Sequence, residues 1–128
     1  MNNKISGNEY QTKAVRTINK NISNEELLIN GVMGLTGESG ECIDIVKKWK
    51  FQGHELNRTK LIDELSDVCW YIAITAYALG VDLEDVLAHN ISKLEKRYPN
   101  GFDKDKSINR VENQKTKQMS LEEYYDFG

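Results

Sequence analysis

The sequence predicts an all-α protein, an antiparallel bundle of about four main helices, and three observations carry that expectation. The single proline, Pro99, leaves everything before it free of the strongest helix breaker. Apolar residues recur at helical spacing in four successive segments. Cap and turn signatures, rather than alternating strand-like runs, separate those segments.

The first segment, about Asn8 to Asn19, places Tyr10, Ala14, Val15 and Ile18 on one side. After an Asn-rich connection, Ser23 with Glu26 three residues on is a capping box that opens a second helix, about Glu25 to Lys50. At about 100° per residue, Leu28, Gly31, Leu35, Glu38, Cys42, Ile45 and Trp49 share a stripe. Gly31, Gly34, Gly37 and Gly40 each weaken a helix by about 0.5–1 kcal/mol, which implies close approach by another helix or a ligand. A loop interrupting the helix is the alternative.

Phe51–Arg58 turns the chain into a third helix, about Thr59 to Leu79, with Gly80 as its C′ glycine. Its central stripe is Leu61, Leu65, Val68, Ile72, Ala76 and Leu79; Glu64, Asp67 and Tyr71 flank it. Trp70, Ala73, Ile74 and Tyr77 make the far side apolar too, and a helix apolar all round is buried all round, which points to a subunit interface. Asp82, with Asp85 and a Val81–Val86 staple, should cap a fourth helix running to about Arg97, with Leu83, Val86, Leu87, Ile91 and Leu94 inward. Tyr98–Gly101 is a turn. The expected organisation is one domain over 1–103 and a polar tail over 104–128, in which Ser120–Phe127 offers either a short capped turn or a loose end.

The totals narrow the function classes. A chain of 128 residues is one domain by length, and 39% hydrophobic with 29% charged residues is ordinary for a folded soluble protein. A net charge of −3 gives no reason to expect nucleic acid as a partner. No apolar run is long enough for a bilayer, and no signal-peptide core opens the chain. Cys42 and Cys69 lack metal or redox spacing and read as reduced core thiols of a cytoplasmic protein.

The chemistry concentrates in two carboxylate pairs, Glu38 with Glu41 and Glu64 with Asp67. Residues three apart share a helix face, so a hairpin sets one pair against the other. A single acidic pair is more often a solvated face. Glu38, however, sits among Leu35, Cys42 and Ile45, and an ionised carboxylate buried alone is costly. Oxygen ligands without histidine suit a hard ion, Mg²⁺ or Mn²⁺. Asn90, Lys93 and Arg97 form a polar line on the fourth helix, suited to phosphates, although cations near a helix C-terminus also complement its dipole. Asn90 falls in the apolar stripe, where a buried amide needs partners. Lys47, Lys48 and Lys50 add positive charge after the first pair. Tyr71 is either a phosphate donor or a packing tyrosine; Trp49 and Phe51 are candidates for stacking on a base, with core packing the better reading of Trp49. His54 and His89 receive no role.

Glu38-Ser-Gly-Glu41, a gap of 22 residues and Glu64-Leu-Ser-Asp67 resemble the E-x-x-E…E-x-x-D signature of the MazG-like all-α nucleoside triphosphate pyrophosphohydrolases. The stretches Gly34–Glu41, Asp63–Tyr71 and Asn90–Phe102 extend the likeness over about residues 8–103. The resemblance implies a bundle completed by dimerisation, often as a dimer of dimers. It also implies Mg²⁺-dependent hydrolysis of a nucleoside triphosphate to the monophosphate and pyrophosphate. Glu38, Glu41, Glu64 and Asp67 would hold the metal, Lys93 and Arg97 would meet phosphates, and Asn90 would fix the phosphate or sugar end. Some relatives place a base-stacking tryptophan seven residues after the second Glu, where this chain has Lys48 with Trp49 beside it. Glu38 and Glu41 are the catalytic candidates; Glu41, at the edge of its stripe, is the expected base. Two rivals remain: a di-iron carboxylate bundle, which would need Glu-x-x-His pairs that are absent here, and a non-catalytic helical interaction module.

Overall fold

A computed structural model describes residues 4–110, and they form five helices. These are α1 (Gly7–Val15), α2 (Asn24–Phe51), α3 (Arg58–Ala78), α4 (Leu83–Arg97) and α5 (Lys104–Ile108). The chain divides into two compact units, Met1–Leu87 and Ala88–Gly128. Among the described residues no helix is long and apolar enough to cross a membrane. The expected turn at Ser120–Phe127 lies outside the described residues.

In the first unit α2 and α3 form the main antiparallel pair, and α1 lies on α3. The α2 start is the expected capping box: Ser23 Oγ accepts from the Glu26 amide at 3.1 Å and Glu26 Oε2 accepts from the Ser23 amide at 2.7 Å. α2 runs unbroken through all four glycines, so no loop interrupts it. Two of the four explain themselves: a β-carbon on Gly31 would strike the Thr75 side chain, and one on Gly34 would enter the Tyr71 ring. Their lost helix propensity is offset by the closeness of α3. Gly37 and Gly40 face open space. Gly80 has φ +73° just beyond the α3 cap, the left-handed C′ geometry that the sequence predicts.

The core sits on the other side of α3 from the one expected. Ala73 and Ile74, assigned to the far side, are fully buried. Ala73 packs with Ala14 of α1 and Leu83, and Ile74 with Leu27 and Ala78. Within the central stripe only Ala76 is buried, while Leu65 is 49% and Leu79 61% exposed. The apolar girth of α3 therefore has an explanation inside this chain, since α1 and α2 cover two of its sides. The expected inward row on α4 reduces to Leu83, which alone reaches that core; Val86, Leu87, Ile91 and Leu94 are exposed.

Asp82 does not cap α4 with its side chain. Residues of α1 satisfy the first-turn amides instead: Gln11 Oε1 accepts from Leu83 at 2.9 Å and Asn8 Oδ1 from Glu84 at 3.0 Å. Gln11 is buried, and its Nε2 donates to the carbonyls of Ala73 and Val81, both at 3.1 Å. One amide thus ties α1 to the end of α3 and the start of α4.

In the second unit α4 ends at Arg97 and the chain turns at Gly101, φ +89°, through a Pro99–Gly101 bridge. Asp103 then caps α5 by accepting from the Lys106 amide at 3.0 Å.

Candidate metal centre

The α2/α3 register sets the site. As numbering rises along α2 it falls along α3: Gly31 meets Thr75 and Gly34 meets Tyr71. One further turn along α2 brings Glu38 opposite Asp67 and Glu64. Close packing at Gly34 holds the helix axes together a turn before the acids, so side chains of modest length can meet.

Carboxylate oxygens of Glu38, Glu64 and Asp67 lie within 4.8 Å of one another. Glu38 and Glu64 are half-buried and Asp67 is exposed. Burial pushes the Glu38 carboxyl above its ordinary 4.5, helped by a hydrogen bond with Glu64 and by the negative charges of Asp67, Glu64 and Glu41. A shared proton is what such a cluster adopts when no cation is supplied. Ion pairs among the described residues join Lys13 to Glu9 and both Lys47 and Lys48 to Asp44, and none of these lysines is paired with the three acids. Oxygen-only donors carrying net negative charge fit a hard divalent metal ion.

Glu41 stands one turn beyond Glu38, exposed and outside the trio, near enough for its charge to raise the Glu38 carboxyl. Lys48 is bound to Asp44 at 2.6 Å, and Lys47 to the same carboxylate at 3.1 Å. Asp44 holds the Lys48 ammonium in its charged form, with a smaller contribution from Glu41. Asp44 escaped the sequence reading, although its spacing to both lysines is the ordinary signal for helix ion pairs.

The Tyr71 ring lies over Gly34 and edge-on to Trp70, with centroids 5.0 Å apart. That is a packing position. Tyr10 of α1 is a neighbour that sequence reasoning missed: its phenol is raised above 10.0 by burial and then by Cys69 and Asp67. Trp49 does not pack in the core; it is 44% exposed on the last turn of α2, beyond the region where α3 and α1 give cover. Cys69 is likewise exposed rather than a core thiol, while Cys42 is half-buried. In the second unit Asn90 is exposed, so its amide needs no buried partner, and Lys93 and Arg97 are half-buried.

The sequence model of the MazG nucleotide pyrophosphohydrolase domain matches residues 29–102, a span of more than half of the chain within which the four acids fall. The Gene 37 protein of Mycobacterium phage L5 is 39% identical over 82 residues, covering 61% of this chain and 72% of the phage protein. No solved structure matches. An all-helical chain with three carboxylates gathered between α2 and α3, matched over that span, belongs to the MazG nucleotide pyrophosphohydrolase domain family.

Proposed function

We propose that this protein is a Mg²⁺-dependent hydrolase that cleaves a nucleoside or deoxynucleoside triphosphate to the monophosphate and pyrophosphate. The observation that carries the reading is the gathering of carboxylate oxygens of Glu38, Glu64 and Asp67 within 4.8 Å of one another. Glu38, Glu64 and Asp67 would hold the ion, with Glu41 completing the set; Mn²⁺ suits the same donors. When bound, the ion supplies Lewis acidity, which draws charge from phosphate oxygens and makes water a better nucleophile.

The remaining roles belong to the chain. Glu41, exposed beside the trio, takes the proton from the attacking water. Lys93 and Arg97 offset the phosphate charge, and Asn90 orients the phosphate or sugar end. Lys48, held charged by Asp44, contributes positive potential rather than a flexible contact. Tyr71 serves mainly to pack, and its hydroxyl is the only part left for substrate.

The protein acts as a homodimer or homotetramer in this reading. Support comes from Val32 and Ile43 on α2 and Leu65 and Leu79 on α3, all large, apolar and exposed. At about 100° per residue Leu65 and Leu79 point away from the Ala73–Trp70 side that α1 occupies. Neither membrane nor nucleic acid is a partner in this scheme.

The test is a panel of nucleoside and deoxynucleoside triphosphates, modified bases included, incubated with Mg²⁺ while monophosphate and pyrophosphate are read separately. Turnover of one or more members with equal yields of the two products supports the reading. Absence of turnover across the panel defeats it, and release of inorganic phosphate would indicate a different scissile bond.

A further inference from the structure

Three polar side chains meet at the end of α4, within charge reach of Arg97 and all within the second unit. Arg110 Nη2 donates to the Tyr98 hydroxyl at 3.0 Å. The Ser107 hydroxyl is bonded to the same phenol, and the charges of Arg110 and Arg97 both act on it. Arg97, Tyr98, Ser107 and Arg110 are each half-buried. Ser107 and Arg110 lie beyond residue 102, where the family match ends. The chain is brought back to Tyr98 by built features: the left-handed Gly101, a Tyr98–Phe102 ring contact at 5.6 Å and the Asp103 cap of α5.

We propose that Arg97, Tyr98 and Arg110 form an oxyanion clasp for the polyphosphate chain, in which Arg110 is a substrate-binding residue supplied from outside the family's matched region. The clasp rests on the reading that Arg97 meets phosphates and extends it with a second guanidinium. Each guanidinium offers a planar fork of donors that matches phosphate oxygens, which a lysine cannot reproduce. The phenol between them adds a neutral donor, sharpened because Ser107, Arg110 and then Arg97 pull it below its ordinary 10.0. One fork held on the hydroxyl and a second guanidinium whose charge reaches it can take neighbouring phosphoryl groups, whereas a single arginine takes one. The Tyr98 contacts also fix Arg110, so little side-chain freedom is lost on binding.

The probe is inorganic triphosphate, titrated calorimetrically into the full chain in metal-free buffer. The wild type should bind it, and Arg110→Ala should weaken binding by about tenfold, the loss of one charge-assisted contact. Arg110→Lys should recover only part of that loss, because charge returns without the fork. Tyr98→Phe should weaken binding less than Arg110→Ala. Losses in Arg97→Ala and Arg110→Ala should not multiply in the double variant, as expected for groups that share one ligand. Unchanged affinity in Arg110→Ala, or no binding of triphosphate by the wild type, overturns the clasp. If Arg110→Ala does not fold, Arg110→Lys decides, and wild-type affinity in that variant overturns it equally. A protein that binds triphosphate through Arg110 yet turns over no nucleotide would keep the clasp and defeat the hydrolase reading.

Discussion

Gly34 and Tyr71 occupy one another's space: a β-carbon on the glycine would lie inside the tyrosine ring. That contact fixes the α2/α3 separation one turn before the acids, so it is a condition for the metal centre rather than a feature of packing alone. Gly34→Ala should destabilise the protein by about 1–3 kcal/mol, the range for overpacking a close contact. Gly37→Ala and Gly40→Ala meet nothing within 4 Å and should each stabilise it by about 0.5–1 kcal/mol through helix propensity. Urea denaturation of the three variants checks the ordering. Equal effects would mean that Tyr71 does not set the helix spacing.

The Glu38 carboxyl gives a pH dependence whose sign is fixed. Its folded pKa lies above 4.5, so the folded state keeps a proton over a range where the unfolded chain has released it. Stability of the metal-free protein therefore falls as pH rises from about 4.5 through the raised value. Glu38→Gln removes that penalty. In metal-free buffer the variant should match the wild type at acid pH and exceed it at neutral pH. Excess Mg²⁺ should reverse the order, because ligand at a hundred times its Kd stabilises the wild type by about 2.7 kcal/mol and the variant by less. Thermal melts at two pH values, with and without Mg²⁺, check both halves. A wild-type melt indifferent to Mg²⁺ and Mn²⁺ would favour the interaction module.

Gln11 makes a prediction about folding alone. Its amide bonds three backbone groups, those of Ala73 and Leu83, both buried, and that of Val81, part-buried. Gln11→Leu keeps the volume close but strands the two buried groups, at about 1–3 kcal/mol for each left unsatisfied. A loss of several kcal/mol in denaturation is expected, without a change in the metal response per folded molecule. A loss below 1 kcal/mol would show that water reaches these groups.

The acids were legible in the sequence because their information is local. Glu38 and Glu41, like Glu64 and Asp67, are one turn apart, and helix periodicity alone puts each pair on a face. The glycines were legible as a demand for closeness, but which two meet α3 depends on register, which no single helix carries. Sidedness was the larger failure. Both faces of α3 are apolar, so periodicity could not tell Ala73 and Ile74, covered by this chain, from Leu65 and Leu79, left open. Gln11 and Arg110 were invisible for a related reason: their partners lie 62 and 12 residues away, across turns that local patterns do not measure.

Glu41 tests the proton-transfer step. It stands outside the trio of acids yet close enough to influence Glu38. Glu41→Gln should lower turnover by about 10²–10⁴-fold, the usual contribution of a general base, while leaving the melting temperature close to wild type. Turnover measured against pH on a substrate from the panel checks it. Undiminished turnover would move the base to another of the four acids.

Leu65 tests the association of copies. It is 49% exposed on the α3 stripe that α1 leaves uncovered, with Leu79 on the same stripe and Val32 and Ile43 exposed on the paired helix. Large apolar side chains left exposed on both paired helices suit association, and burial of each leucine or isoleucine side chain stabilises an interface by about 1.5–3 kcal/mol. The wild type should sediment as a dimer or tetramer at micromolar concentration. Leu65→Glu places a charge in that face, where desolvation without a partner opposes association, and should shift the species towards monomer while circular dichroism stays helical. Monomeric wild type would mean that these side chains face solvent in the working protein. The α3 core of Ala73 and Ile74 would then carry the fold without help from a second copy.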